Sequence, residues 1–449
     1  MSLFSQLRAS QPEGWRFIKR GFGSVGLKIL AMALGLGLSI VLARSLGVEA
    51  FGAYAFVFSV VSVLIIPVQM GVSTLIVRET ARYESDGAWS LIRALWRWAT
   101  LAILCAGGLV LGIYWLIGLE TSLLFEQPLS SENAELVFWS SLLIPLLSLG
   151  SLRAGALRGL RRVYLGQLPE EILRPAFLIV LVLFLWLQMG KEVSATDAMA
   201  SHALSAMVAF LIGAVMLLMS VPRARLTEEP PLTVSGQMQI GWWRSAFPMG
   251  VTATSHVINR YADIILLGVL AAQTEVGLYR VAAQGALLVT FGLQAINLVV
   301  APYLSRAHRG SDYPRIQMLM TLSARLSSGL ALLPALLFLA FGDTIIRWLF
   351  GAEYESAYAP LCVLILGRFV SAVFGPVGML LSMSGYERLV ARVLMLAVVV
   401  NVVLNAALIP LYGVIGAACA TTATMVTWNF ILRTLAARKL GIETMAFRL

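Results

Sequence analysis

The 449-residue chain reads as an all-α protein that crosses a membrane many times. Three observations predict this. Hydrophobic residues make up 59% of the chain and charged residues only 12%, about half the charged share of an average soluble domain, and the mean hydropathy is +0.85. Apolar runs of roughly 20 residues, enough for a helix to cross a hydrocarbon core, recur from one end to the other. The cations concentrate in alternate connections, the pattern expected where those connections face the cytoplasm.

Twelve spans are expected, near residues 24–44, 51–72, 98–118, 136–156, 172–189, 198–221, 245–270, 277–300, 318–341, 357–383, 390–410 and 413–434. The leading stretch MSLFSQLRASQPEGWRFIKR is polar and basic and lacks the short apolar core and small-residue cleavage site of a signal peptide. It reads as a lead-in helix on the cytoplasmic side. With that end inside, the cytoplasmic segments carry 24 of the 33 lysines and arginines, among them Arg153, and the outer loops carry only Arg44, Lys191, Arg280 and Arg347. The loop after the third span holds Glu120, Glu126, Glu132 and Glu135 and no base. The asymmetry predicts both ends in the cytoplasm, and topology rather than nucleic acid accounts for the net charge of +10.

Catalytic, metal and cofactor chemistry find little support. Cys105, Cys362 and Cys419 are an odd number set in apolar segments, without C-x-x-C spacing. No GxxxxGK[ST] loop occurs. An enzyme that builds or ligates polysaccharide would be expected to carry a large outer domain; here the outer loops are short and His202, His256 and His308 are scattered.

The longest polar connection, 222-PRARLTEEPPLTVSGQMQI-240, divides the spans six and six. It defines an N-terminal lobe of residues 1–221, a linker of residues 222–240 and a C-terminal lobe of residues 241–449. Signals recur across it. LGVEAFGAY (46–54) is echoed by LAAQTEVGLY (270–279), and GALRGLRRVY (155–164) by GMLLSMSGYERL (378–389), at offsets near 225 residues. Two halves with an even number of spans share one orientation. Such parallel repeats place a substrate cavity between the lobes, about an axis along the membrane normal.

Span seven carries the strongest functional signal, in 256-HVINRYADIILLG-268. Thr252, His256, Asn259, Arg260 and Asp263 recur at helical spacing and form one polar face. A charge at mid-helix costs about 3 kcal/mol or more in a bilayer, so this face is expected to look onto a water-filled cavity. Weaker stripes would complete the lining: Lys28 with Ser24, Gly35 and Ser39 in span one; Gln69 with Ser59, Ser62 and Ser73 in span two; Gln284 and Gln294 in span eight; Arg368 in span ten. Asp263 is the candidate for binding a coupling ion, with His256 as a second proton carrier. A packing role competes at each position. Serine and glycine stripes usually bring helices together. Arg260 and Asp263, three residues apart, can neutralise each other. Asn401 and Asn405 can bond neighbouring helices, while Arg174, Arg325 and Lys28 can extend to the interface.

Five stretches resemble one family. ARSLGVEAFGAYAF (43–56), GVSTLIVRETARY (71–83), FGAEYESAYAPLCVLILG (350–367), GPVGMLLSMSGYERL (375–389) and NVVLNAALIPLYGVIGAACAT (401–421) are similar, in that order, to bacterial polysaccharide flippases of the Wzx type. Their superfamily, MOP, also contains MATE drug exporters and the lipid II flippases. The resemblance implies two six-helix lobes around a cavity in the bacterial inner (plasma) membrane. It implies a cargo of undecaprenyl-diphosphate-linked oligosaccharide, with membrane lipids and a polysaccharide polymerase as partners and no cofactor. The alternative is a cation-coupled multidrug exporter of the MATE type, which would be expected to use intramembrane carboxylates. Within the spans Asp263 is essentially alone against several bases, which favours an anionic cargo.

Overall fold

The computed structural model describes residues 12–120, 131–189, 193–221 and 235–446, and every regular element among them is helical. The first half contains α1 (Pro12–Gln69), α2 (Val72–Ser85), α3 (Trp89–Glu120), α4 (Ser131–Gly159), the short α5 (Val163–Leu168), α6 (Arg174–Met189) and α7 (Ala195–Ser220). The second half contains α8 (Gly236–Leu270), α9 (Gln273–Val289), α10 (Phe291–Arg309), α11 (Tyr313–Leu349), α12 (Tyr358–Phe374), the short α13 (Val377–Met383) and α14 (Glu387–Leu440). Most of the expected linker lies outside the described residues, and its residues 236–240 already belong to α8.

Seven of these helices are long and apolar enough to cross a membrane, or eight if α9 and α10, bent by 49° at their junction, are taken as one span. The chain is therefore a polytopic membrane protein. α8, which carries the polar face, is not among the seven. α1 and α14 are each longer than one crossing and each breaks at a glycine: Gly47 (φ 75, ψ 172) and Gly413 (φ 54, ψ −133). Only a residue without Cβ adopts such angles readily. The expected eighth span is not one continuous helix, because it is interrupted at Thr290.

Within the first half α4 packs against α2, α3 and α7; within the second, α14 packs against α8 and α12. The halves meet chiefly where α1 lies along α8 and α9. This contact is reciprocal. A Cβ on Gly52 of α1 would overlap the carbonyl of Gln273, and a Cβ on Gly277 of α9 would overlap the carbonyl of Val48. Gly52 and Gly277, like Val48 and Gln273, are 225 positions apart, so the two contacts mirror each other. Around this crossing Arg44 of α1 donates to the carbonyls of Leu349 (2.8 Å) and Trp348, and Tyr354 Oη donates to Ala43 O at 3.0 Å.

Arg153 corrects the expectation that it is a loop cation. It sits inside α4 and is 3% exposed. Its guanidinium donates to Ala209 O (3.0 Å), Phe210 O (2.7 Å) and the Glu170 carboxylate (2.8 Å), and the Phe210 ring lies 5.7 Å away. Glu170 is presented by a π turn, Pro169–Leu173, that leads into α6. One arginine thus ties α4, α6 and α7 together. Removing one partner of a buried ion pair strands the other charge, at a cost of about 3–5 kcal/mol. Arg153→Met should therefore lower the thermal midpoint of detergent-purified protein strongly, and adding Glu170→Leu should restore much of it; equal midpoints for the single and double variants would contradict this account.

Candidate functional site

The polar face of α8 divides into two parts. α8 begins at Ser235, whose hydroxyl accepts from Met238 N, and runs unbroken through the polar residues. His256 and Arg260 lie on an exposed side of the helix, and Asn259 is half-buried with its amide turned back to Ser255 O at 2.9 Å. The side chain of Thr252 lies outside the described residues. Asp263 is different: it is 3% exposed and faces the protein. Three residues rotate a helix by about 300°, so Asp263 stands roughly 60° from Arg260 around the axis. That is enough to put one on a surface and the other in the core.

The carboxylate of Asp263 is the meeting point of three helices. Tyr279 Oη of α9 donates to Oδ2 at 2.7 Å, and Thr421 Oγ1 of α14 donates to the same oxygen at 2.6 Å. Asn405 Nδ2, also of α14, donates to Oδ1 at 2.9 Å. Tyr279 and Thr421 hydroxyls are themselves 3.1 Å apart. The expected neutralisation of Asp263 by Arg260 does not occur, since neutral donors occupy its oxygens and no ion pair joins the two among the described residues. Asn401 and Asn405 also differ from simple interhelical bonding groups. Each keeps a buried Oδ1 without a hydrogen-bond partner, close to the carboxylate that Asn405 serves. Asp263, Thr421 and these two amides gather oxygen atoms in a site that is closed to solvent.

Arg368 of α12 is within Coulombic reach of Asp263, Tyr279 and Arg260. Its Nε is buried and has no hydrogen-bond partner. Arg280, expected in an outer loop, instead lies in α9, half-buried and within Coulombic reach of Tyr54. Lys28 is exposed on α1, within Coulombic reach of Glu171. Gln284 is half-buried, with its amide nitrogen 4.0 Å from where a Cβ on Gly35 would stand. Of the expected residues only Arg368 is thus placed near Asp263, and two others have partners elsewhere. Gln69 ends α1 and faces Ser151 of α4 at 3.5 Å. Gln294 is exposed on α10, beyond the break at Thr290, with its amide 3.5 Å from the Thr290 hydroxyl.

The first half carries an echo of the Asp263 cluster. Tyr54, 225 positions before Tyr279, bonds His202 Nδ1 of α7 at 2.8 Å, and the His202 ring lies 4.9 Å from that of Phe58. Both Tyr54 and His202 are buried. A separate cavity of about 700 Å³ opens beside the Gly52–Gln273 crossing, lined by residues that include Glu49, Phe56, Ser194, Gln273, Thr274 and Glu353. None of the expected site residues lines it.

Helical halves of this kind define a class. The chain shares its fold with an inward-facing multidrug resistance MATE family transporter of the MOP superfamily (TM-score 0.76, 15% identity, 92% of this chain and 94% of that one). It shares it also with the lipid II flippase MurJ in an inward closed conformation (TM-score 0.73, 14% identity, 91% and 86%). The fold is thus one that transporters and a lipid flippase also have. Residues 18–308 match the family described as Polysaccharide biosynthesis protein, and the chain belongs to that family. Among its relatives is AglR of Haloferax volcanii, a probable flippase, 24% identical over 408 residues that cover 89% of this chain and 79% of that protein. Agl15 of the same archaeon, a probable low-salt glycan biosynthesis flippase, is 28% identical over 162 residues, 36% of this chain and about a third (34%) of Agl15.

The two sides of α8 predict different responses. Thr421→Val removes one of three donors to a buried carboxylate, and hydrogen bonds to charged groups contribute about 1.5–3 kcal/mol each. The thermal midpoint should fall. Arg260→Ala, at an exposed position without an ion pair, should leave it unchanged. A stable Thr421→Val variant would mean that the cluster does not hold α8 to α14.

Proposed function

We propose that the chain is a flippase that carries a lipid-linked, diphosphate-bearing oligosaccharide from the cytoplasmic to the outer leaflet of the plasma membrane by alternating access. One observation carries this reading: Arg260 and Arg368 lie within Coulombic reach of each other, with Asp263 as the carboxylate near Arg368 and no ion pair to either arginine among the described residues. Arg260 is exposed without an ion pair among the described residues, and Arg368 keeps a buried, partnerless Nε. Asp263, the acid expected to pair with Arg260, instead directs its oxygens to Tyr279, Thr421 and Asn405, so one carboxylate stands against two arginines. A site with unpaired cations in a low dielectric receives anions, and guanidinium groups match the oxygens of a diphosphate. Lys28 and Arg280 would extend the positive lining, with His256, Asn259 and Gln284 as neutral hydrogen-bonding groups for sugar hydroxyls; Thr252, Gln69 and Gln294 contribute less.

The architecture we infer has twelve spans in two lobes of six, with both ends in the cytoplasm. Dividing α1 at Gly47 and α14 at Gly413 supports it, as does the reciprocal crossing of residues 48–52 with 273–277. In a bacterial host the carrier is undecaprenyl diphosphate. The residues named recognise the diphosphate and glycan rather than the polyprenyl chain, which is compatible with archaeal relatives named for glycan biosynthesis. The membrane potential, negative inside, assists outward movement of an anion by about 2.3 kcal/mol per charge per 100 mV. Asp263 is the coupling site in this scheme. Its carboxylate, the Thr421 hydroxyl and the free amide oxygens of Asn401 and Asn405 suit a proton or a small monovalent cation. A polymerase that consumes the delivered glycan would act downstream.

Two measurements test the reading. Arg260→Ala and Arg368→Ala should each reach normal membrane abundance yet reduce surface glycan at least tenfold, with resistance to cationic drugs unchanged. Normal glycan display by both variants sinks the proposal, and a loss of drug resistance instead would select the exporter. In the purified protein, Na+ at constant ionic strength, or acidification, should raise the thermal midpoint, and Asp263→Asn should abolish that response. Retention of the response in Asp263→Asn removes Asp263 from coupling.

A further inference from the structure

The segment after α14, Gly441–Ala446, has no regular structure, yet Ile442 and Ala446 are each 1% exposed and Thr444 is 0% exposed. Backbone bonds hold it in place. Glu443 N donates to Gln317 Oε1 at 2.9 Å, and Gln317 Nε2 donates back to Glu443 O at 2.7 Å, so one side chain closes a two-bond ring on the segment. Arg325 Nε of α11 donates to Ala446 O at 3.1 Å. Arg433 of α14 grips the Glu443 carboxylate at 3.1 and 3.2 Å. Arg325, expected to extend to the membrane interface, is thus engaged with backbone.

The remaining bond is the informative one. Ala446 N donates to Val373 O at 3.1 Å, in the last turn of α12. The last carbonyls of a helix lack intrahelical donors. Here the helix stops because the chain turns at Gly375 (φ 66) and Pro376 before resuming as α13. Thr444 O lies 3.4 Å from where a Cβ on Gly375 would stand. The opposite side of the same turn is bonded to α11, where Ser327 Oγ donates to Ala372 O at 2.8 Å. The break between α12 and α13 is therefore clasped between α11 and the segment that follows α14. Arg368 is less than two helical turns before it.

We propose that Gly441–Ala446 is a strap that fixes the α12–α13 hinge and thereby positions Arg368, so that loosening the strap shifts α12 while the rest of the helical assembly stays intact. The positional effect on transport rests on the reading of Arg368 as a cargo-binding cation; the mechanical effect does not.

The experiment uses the full chain with Cys105, Cys362 and Cys419 replaced by serine and one reporter cysteine. Ser371→Cys reports on α12: Ser371 is half-buried, three residues beyond Arg368, and its hydroxyl accepts from Asn429 Nδ2 at 3.2 Å. Ser151→Cys in α4 reports on the first half. Two strap variants are compared with the parent: Gln317→Ala, and a chain stopped after Gly441. Labelling by a membrane-permeant maleimide should rise about tenfold at position 371 and stay at the parent rate at position 151, with surface glycan reduced several-fold. Unchanged labelling at 371, or an equal rise at both reporters, overturns the strap. If the shortened chain does not fold, Gln317→Ala alone decides. Increased labelling together with normal glycan display by Arg368→Ala keeps the strap and removes the cargo reading; unchanged labelling with a transport-dead Arg368→Ala does the reverse.

Discussion

Inside a bilayer no water is available to satisfy a buried polar group, so each such group must find its partner within the protein. Asp263 is where this constraint is most severe. Its carboxylate is enclosed, and the donors that make it tolerable come from α9 and two positions on α14. The residue that is most costly to bury therefore fixes where three helices meet. Arg153 follows the same rule in the first half, with two carbonyls of α7 and the Glu170 carboxylate around its guanidinium. In both cases polar chemistry supplies the directional contacts that apolar packing in lipid does not.

The rule also sets what remains available for a cargo. Groups engaged by several partners, such as the Asp263 carboxylate and the two terminal nitrogens of Arg153, hold the scaffold. Groups left incomplete, such as Arg368 Nε and the amide oxygens of Asn401 and Asn405, are where an external ion or ligand would complete the set. Function here is read from unsatisfied valence within a well-satisfied frame.

Much of this was legible in the sequence. Hydropathy located the apolar helices, because the 20-residue length requirement leaves little freedom. The stretches LGVEAFGAY and LAAQTEVGLY, which echo each other in sequence, are also where α1 and α9 touch. What the sequence did not reveal was direction around a helix axis. Periodicity grouped Arg260 with Asp263, because 60° is within the width of one face, yet that angle separates an exposed side from a buried one. Loop assignments also failed for Arg153 and Arg280, since charge near an expected span end was taken as exposure; a buried arginine beside a π turn leaves no hydropathic trace. Tyr279 and Thr421 were missed because hydroxyls hardly alter hydropathy. The i, i+4 pair Asn401–Asn405 was the available clue to that cluster, but it did not point to Asp263 142 positions before Asn405.

The reciprocal crossing of Gly52 with Gln273 and of Gly277 with Val48 constrains which residues either position can hold. Elsewhere a buried position answers to side chains that can change with it. At this crossing each glycine is required by the backbone of the other copy. A larger residue in one repeat cannot be accommodated by any side-chain change in its partner, since the obstacle is a carbonyl. Substitution is therefore barred at both glycines alike, and each half of the chain holds the other's backbone to one shape at the place where they cross.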